Sequence, residues 1–385
     1  MKRCAVLFLL LMLLCGCAKE EPGLILGADV SSLTALERSG TVFYSPEGQP
    51  QDVVKTLADA GCDSIRVRVW VNPYDASGNG YGGGNCDLEN AIALGKRAAE
   101  HGMGLLVDFH YSDFWADPGK QKAPKAWETL TLEEKQKVVY KYTAESLAAF
   151  RAAGVAVDTV QIGNETNAGF CGETALEGQY PLMAEAARAV RESDKHTRIV
   201  VHFTDPQSGN FPWYGETLDK YGVDYDIFAT SYYPYWHGTA QNLTEQLSYI
   251  IDRYGKQVMV AETAWPFTAA DSDGHPNSVS NATGQLYPFT PEGQVAAFSD
   301  IVTAMESLGS SAVGVFYWEP AWIAVPGPGR PEKWEAFGSG WASSYAADYD
   351  PSDAGKWYGG SAWDNQALFD AQGRPLKSIG IFGRR

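Results

Sequence analysis

Eight short apolar runs recur along this chain, and the segments between them carry helical periodicity. The runs are Ile25–Val30, Ser64–Trp70, Gly104–Tyr111, Thr159–Glu165, Arg198–Thr204, Ile227–Pro234, Gln257–Trp265 and Ala312–Pro320. Amphipathic stretches such as Leu88–Glu100, Leu132–Ala153, Tyr180–Ser193, Leu243–Tyr254 and Pro291–Leu308 lie between them. Strands buried on both faces read as near-continuous apolar runs, so this alternation implies a parallel sheet covered by helices. Eight such units predict an α/β chain folded as a (β/α)8 TIM barrel, one catalytic domain with long βα loops. A doubly wound sheet would want a glycine-rich phosphate turn after its first strand, and none is present. The glycine run 82–84 lacks the Gly-Lys-Ser/Thr ending of a phosphate cradle.

The 385 residues suffice for one barrel with elaborate loops. The connections after strands are long and rich in Gly, Pro, Asn and aromatics, as in 72–87, 268–290 and 322–364. Those before strands are short, as in 60–63. Elaboration at one end is the mark of a barrel enzyme, whose site is built from its βα loops. A formal net charge of −17 argues against nucleic acid as a partner. The 12 Trp and 20 Tyr supply flat apolar faces of the kind that stack on sugar rings, although many belong to the core.

At the N-terminus, Met1-Lys-Arg precedes an apolar run from Ala5 to Leu14, too short to span a bilayer as a mature helix. Leu14-Cys-Gly-Cys17 follows and resembles a bacterial lipobox, in which the last cysteine is lipidated. The expected organisation is a signal peptide over 1–16, lipidation at Cys17, a short tether over 18–23 and the catalytic domain over 24–385. The acidic Ala18-Lys-Glu-Glu21 looks like a surface-export tag, so the chain is expected to be an exported lipoprotein held on the membrane by its lipid, at the outer cell surface. Of the remaining cysteines, Cys62 reads as a small buried residue, while Cys86 and Cys171 lie in loops of one barrel face, where a disulfide is possible after export. Nothing in the sequence calls for an obligate oligomer, and a monomer is expected.

Two glutamates each close an apolar run: Glu165 in Thr159-Val-Gln-Ile-Gly-Asn-Glu165 and Glu262 in Gln257-Val-Met-Val-Ala-Glu262. Carboxylates at the mouth of a barrel, from strands four and seven, are the pair that acetal cleavage requires. Burial among aromatics raises the pKa of a general acid toward its task, which suits Glu165. Asn164 can bond a sugar 2-hydroxyl; the bland alternative for Asn164-Glu165 is a helix N-cap. Glu262, as nucleophile, needs donors that keep it ionised. Arg66 and Arg68 share one face of strand two; Arg66 is the first candidate to meet Glu262 and Arg68 the second, with a structural ion pair lower in the barrel as the alternative. Tyr232 and Tyr233 end strand six within reach of a nucleophile, Trp318 can floor the sugar site, and Asp108 and His110 share strand parity at the mouth. A metal-dependent hydrolase on this fold would place a His-x-His after strand one, yet no histidine precedes His101.

Four motifs together resemble glycoside hydrolase family 53, the endo-β-1,4-galactanases of clan A. They are Arg66-x-Arg-x-Trp-x-Asn-Pro73, Asp108-Phe-His-Tyr-Ser-Asp-x-Trp115-Ala-Asp-Pro-Gly-Lys-Gln121, Gln161-Ile-Gly-Asn-Glu165 and Glu262-Thr-Ala-Trp-Pro266. The resemblance covers nearly the whole mature chain, and the strand-three motif is its most specific part. It implies a retaining mechanism with Glu165 as acid/base and Glu262 as nucleophile, acting on the β-1,4-galactan of type I arabinogalactan and pectin. Trp115 and Trp363 would bind any β-1,4 polymer, so a related clan-A enzyme on mannan or xylan is the first alternative. A glycan-binding lipoprotein without catalysis is the second.

Asp271-Ser-Asp273-Gly-His275-Pro-Asn277 and the later Ser361-Ala-Trp363-Asp364 present alternating oxygen ligands in a tight glycine turn, which suits Ca²⁺. The glutamate that closes an EF-hand is missing. The resemblance implies a structural calcium that clamps the seventh and eighth βα loops, with His275 and Ser361 contributing backbone carbonyls; no organic cofactor is expected. An Asp/Asn-rich surface turn is the alternative.

Overall fold

The computed structural model describes residues 23–354 and 359–383. Cys17 and the rest of the N-terminal export segment therefore lie outside the described residues. Eight parallel strands close into a barrel in sequence order: β1 (Ile25–Asp29), β2 (Ser64–Val69), β3 (Gly104–Phe109), β4 (Thr159–Ile162), β5 (Arg198–Thr204), β6 (Ile227–Ser231), β7 (Gln257–Thr263) and β8 (Ala312–Trp318). β8 pairs with β1 to complete the ring. The (β/α)8 expectation is met, with strands one to three residues shorter at several C-terminal ends. The reason is local: Tyr111, Glu165 and Glu319 adopt left-handed φ values of 50°, 45° and 53°, which turn the chain off the strand just where the mouth begins.

The helices α1 (Leu33–Arg38), α2 (Val53–Asp59), α3 (Leu88–Glu100), α4 (Leu132–Ala152), α5 (Leu176–Ser193), α6 (Phe211–Lys220), α7 (Ala240–Tyr254) and α8 (Pro291–Glu306) follow the strands, and α9 (Arg330–Phe337) lies in the loop after β8. Their starts are set by side chains that satisfy free backbone N–H groups: Asp87 caps α3, and Thr131 with Glu134 forms a capping box on α4. Neither α2 nor α6 is among the amphipathic stretches named from the sequence. In α6 a central glycine weakens the helical signal, yet Gly215 is required there, because a Cβ would come 2.5 Å from the Tyr254 ring of α7.

Two hydrophobic cores result. The larger fills the space between sheet and helices. A smaller one, containing Leu106, Val200, Ile227, Ala229, Met259, Ala261 and Phe316, plugs the lower barrel. Gly27 makes room for it, since a Cβ there would meet the Phe316 ring at 2.3 Å. This apolar plug supports a polar layer above it.

Candidate active site

One strand position higher, the inward-facing side chains change from apolar to polar. Asp29, Arg66, Asp108, Gln161, His202, Ser231 and Glu262 come from β1 to β7, one per strand, and Trp318 completes the ring from β8. All are buried. A buried polar group is stable only when partnered, and this layer is densely bonded. Arg66 donates to Asp29 at 2.7 Å, Asp108 at 2.8 Å, Asn164 at 2.9 Å and Gln161 at 3.2 Å. Gln161 in turn donates to Asp108 at 2.7 Å.

Glu262 reaches this layer by a backbone irregularity. Thr230 of β6 is level with Val260, but the next residue, Ser231, is level with Glu262, so Ala261 is an extra residue. Strict alternation from Met259 and Ala261 would turn Glu262 toward the helices. The bulge turns it inward instead, as bulges beside active sites commonly do. Its carboxylate lies 2.8 Å from the Arg66 guanidinium and accepts the Tyr233 hydroxyl at 3.0 Å.

Glu165 arrives differently. Gly163, at φ 91°, and Glu165 itself, at φ 45°, fold the chain back over the barrel after β4. The Glu165 backbone N–H donates to His202 Nδ1 at 3.3 Å. Asn164 is fixed at both ends, to Arg66 through Oδ1 and to Ala116 O through Nδ2 at 2.9 Å. The N-cap alternative for Asn164-Glu165 fails, since α5 begins only at Leu176.

The two glutamates have opposed environments. Burial and the Glu262 charge push the Glu165 carboxyl up to about 8. Burial also raises Glu262, but Arg66 and the Tyr233 hydroxyl oppose that rise. The pair therefore gives up its first proton from Glu262 and keeps the second on Glu165. Asp108 would be raised by burial, yet Arg66 and His110 hold it below its ordinary value, as an anion.

Both glutamates line one cavity of about 440 Å³ at the C-terminal end of the strands, with Arg68, His110, Asn164, Tyr233, Trp236 and a wall of tryptophans. Trp115 stacks on Trp341 at 4.6 Å between centroids and 17° between planes. Trp363 meets the edge of Trp318 at 4.7 Å. Arg68 lies 4.6 Å from the Trp115 ring and 5.4 Å from Trp318, a cation held over aromatic faces.

Several expected sugar contacts take other roles. Arg66 and Asp108 lie beneath the cavity and hold the layer together. Arg68 does not meet Glu262; it pairs with Glu319 at 2.7 Å, an ion pair at the mouth just past β8 and not one lower in the barrel. His110 borders the cavity, but its Nε2 serves Asp108 and its Nδ1 accepts from Trp70 and the Ala116 N–H, so no ring nitrogen is left for a hydroxyl. Tyr232 is a correction: its hydroxyl donates to Gly238 O at 2.9 Å, away from Glu262, because its neighbour Tyr233 takes the inward position. Trp115, Tyr233, Trp318 and Trp363 do line the cavity. The possible Cys86–Cys171 disulfide is also corrected, since Cys62, Cys86 and Cys171 are all free and buried.

Asp29, His202, Ser231 and Glu319 are not among the residues that the sequence singles out, and Gln161 stands there only as part of the strand-four motif. A signal existed for four of them, as each is the last or next-to-last inward position of its strand. Glu319 lies next to the end of the eighth apolar run, a carboxylate at a strand end like Glu165 and Glu262.

Beside the cavity, oxygens of Asp271, Asp273 and Asp364 come within 4.8 Å of one another. Burial raises Asp364 to about 7, and the neighbouring Asp273 and Asp271 charges add to that rise. Asn277 donates to Asp364 at 2.8 Å, while its own Oδ1 is buried without a partner. Three crowded carboxyls and an orphaned amide oxygen are a donor set that fits a hard cation. The Ser361 N–H donates to Asp273 at 2.8 Å, tying the two loops together. Ser278 and Trp363, each one residue from a member of this cluster, are walls of the catalytic cavity.

A profile described as glycosyl hydrolase family 53 matches residues 25–382. The chain is 54% identical over 364 residues to the endo-β-1,4-galactanase of Bacillus subtilis (strain 168), covering 93% of this chain and 85% of the relative. It is 33% identical to the arabinogalactan endo-β-1,4-galactanase of Cellvibrio japonicus (strain Ueda107), over 80% of this chain and 83% of that one. Among solved structures, the Ignisphaera aggregans GH53 catalytic domain superposes with a TM-score of 0.84 at 35% identity, covering 94% of this chain and 97% of the other.

Proposed function

This chain belongs to glycosyl hydrolase family 53, and on that premise we propose that it is an endo-β-1,4-galactanase that cleaves type I arabinogalactan and pectic galactan with retention of configuration. The observation that carries the reading is the unequal pair: Glu262 held by a guanidinium and a phenol, and Glu165 held protonated, in one aromatic cavity. In the first step a Glu262 oxygen attacks the anomeric carbon, the glycosidic bond breaks, and the Glu165 proton passes to the leaving oxygen. Arg66 and Tyr233 orient Glu262 for that attack. In the second step water attacks the anomeric carbon, Glu165 accepts its proton, and the ester to Glu262 is released. Asn164, fixed by Arg66 and Ala116, presents its amide edge to the sugar. The tryptophan wall supplies apolar faces that accept several residues of a chain, which favours internal cleavage.

Substrate choice is tested by reducing-sugar release from galactan, mannan, xylan and type II arabinogalactan. The reading expects turnover on galactan alone to be substantial. Comparable rates on mannan or xylan would overturn it in favour of another clan-A activity.

Ca²⁺ would be held by Asp271, Asp273, Asn277 and Asp364, with carbonyl oxygens of His275 and Ser361, and its role would be structural. Bound there it neutralises the crowded carboxyls and ties together the two loops that supply Ser278 and Trp363. The lipobox at Cys17 supports export as a monomeric lipoprotein anchored to the membrane, with the outer cell surface as its destination. Fatty-acid labelling that is lost on Cys17→Ala would support this; undiminished labelling would refute it.

A further inference from the structure

The strand-three motif closes with Asp117-Pro-Gly-Lys-Gln121. This segment makes a tight turn beside the cavity, in which the Asp117 N–H donates to Lys120 O at 2.8 Å and the Lys120 N–H to Asp117 O at 3.0 Å. Asp117 and Pro118 are walls of the cavity. The turn delivers the Gln121 side chain to the chain just past β4. There Gln121 Nε2 donates to Asn164 O at 2.8 Å, with Asp117 O at 3.1 Å and Glu165 O at 3.2 Å from the same nitrogen. Three carbonyl oxygens around one end of the amide fix its orientation, since Oε1 in that place would meet only acceptors. The Gln121 carbonyl in turn accepts the Gly172 N–H at 2.6 Å, which ties the same residue to the loop after β4.

The backbone that Gln121 meets is strained. Glu165 sits at φ 45°, a region that costs energy for any residue with a Cβ and persists only where the surroundings over-determine it. Two residues supply that constraint from opposite sides. In the peptide group before Glu165, the Asn164 C=O is bonded by Gln121 and the Glu165 N–H by His202 Nδ1, at 3.3 Å. In the peptide group after it, the Glu165 C=O is bonded by Gln121 and the Thr166 N–H by His202 O, at 2.9 Å. Both peptide planes that flank the acid/base are therefore held at each edge, by β5 on one side and by the loop after β3 on the other.

We propose that Gln121 is a positioning residue for Glu165: it grips both flanking carbonyls and so sets the direction in which the carboxyl leaves the chain, a role that rests on the reading of Glu165 as acid/base. The carboxyl must be open toward the leaving oxygen in the first step and toward water in the second, so its aim has to come from the backbone that carries it. A misplacement of about 1 Å is enough to cost about a hundredfold in rate.

The test uses the full chain with Gln121→Ala, which removes the amide, and Gln121→Leu, which keeps its bulk without a donor. Two substrates separate the steps: galactan, whose leaving sugar needs an acid, and a dinitrophenyl β-galactobioside, whose leaving group needs none. With the second substrate kcat/KM reports the first step, and kcat reports the second, in which Glu165 is the base. In Gln121→Ala, kcat on galactan is expected to fall about thirtyfold, with KM within about twofold of wild type. On the dinitrophenyl substrate kcat/KM should stay within about twofold, while kcat falls about as far as on galactan. Sodium azide should restore that kcat, because the anion attacks the anomeric carbon without a base, displaces Glu262 and leaves as galactobiosyl azide. Wild-type rates on galactan, a dinitrophenyl kcat/KM that falls with the rest, or a loss that azide does not relieve would overturn the proposal. Should Gln121→Ala fold poorly, Gln121→Leu carries the same readouts: the same pattern supports the positioning role, and its absence refutes it. Glu165→Gln separates the two levels. If it stays active on galactan or gains nothing from azide, the underlying reading has failed; if it shows the full pattern while the Gln121 variants do not, only the role of Gln121 has.

Discussion

The Arg66 guanidinium lies 2.8 Å from a carboxylate oxygen of Glu262, with both side chains out of solvent. The same guanidinium pairs with Asp29 at 2.7 Å and Asp108 at 2.8 Å. One cation thus answers three buried carboxylates, and it reaches them because the fork of the guanidinium spans three strands.

Arg66→Lys keeps the charge but supplies a single point donor. It is expected to leave at least one carboxylate unpaired, lower the melting temperature and reduce kcat/KM on galactan about a hundredfold or more, since breaking a buried ion pair costs about 3–5 kcal/mol. Steady-state kinetics beside a thermal melt will check this. Wild-type kinetics in the variant would remove Arg66 from the site.

The pH profile has an assigned alkaline limb. Activity needs Glu165 protonated and Glu262 ionised, so kcat/KM should fall as pH rises through about 8, where Glu165 loses its proton. It should also fall at low pH as Glu262 takes one up. With the dinitrophenyl substrate, whose first step needs no acid, the alkaline limb should weaken. An identical limb with both substrates would assign it to another group.

Calcium removal is expected to act on stability before chemistry. A chelator should lower the melting temperature by a few degrees, with recovery on adding Ca²⁺. Asp364→Asn should be insensitive to both treatments. A melting curve that ignores the chelator in the wild-type enzyme would leave the acidic cluster a surface turn.

The Arg68–Glu319 pair should govern binding more than chemistry. Glu319 accepts from Ser32 N and Oγ and from Arg68, which in turn lies over Trp115 and Trp318. Glu319→Gln is expected to loosen those two rings and raise KM several-fold with a smaller change in kcat. A fall in kcat alone, at constant KM, would contradict this division.

The barrel was legible because its strands are buried on both faces and so stand out as apolar runs. Helix α6 was not, because its fit against α7 depends on Gly215, a residue that weakens the helical pattern. Glu165 and Glu262 were legible as carboxylates ending strands, a position that costs stability without a function. Their neighbours were harder. Tyr232 and Tyr233 look alike in sequence, and only the turn after β6 decides which hydroxyl faces Glu262. The bulge at Ala261 leaves no mark in composition, yet without it Glu262 would face the helices. Arg68 was ambiguous because its partner, Glu319, sits on a left-handed turn past the end of β8.

The central claim is that Glu262 bonds covalently to the sugar across the site from Glu165. A 2-deoxy-2-fluoro galactobiosyl substrate with a dinitrophenyl leaving group should inactivate the enzyme, and peptide mass spectrometry should find the fluorosugar on the peptide containing Glu262. No adduct under conditions of turnover, or an adduct on any other residue, would contradict it.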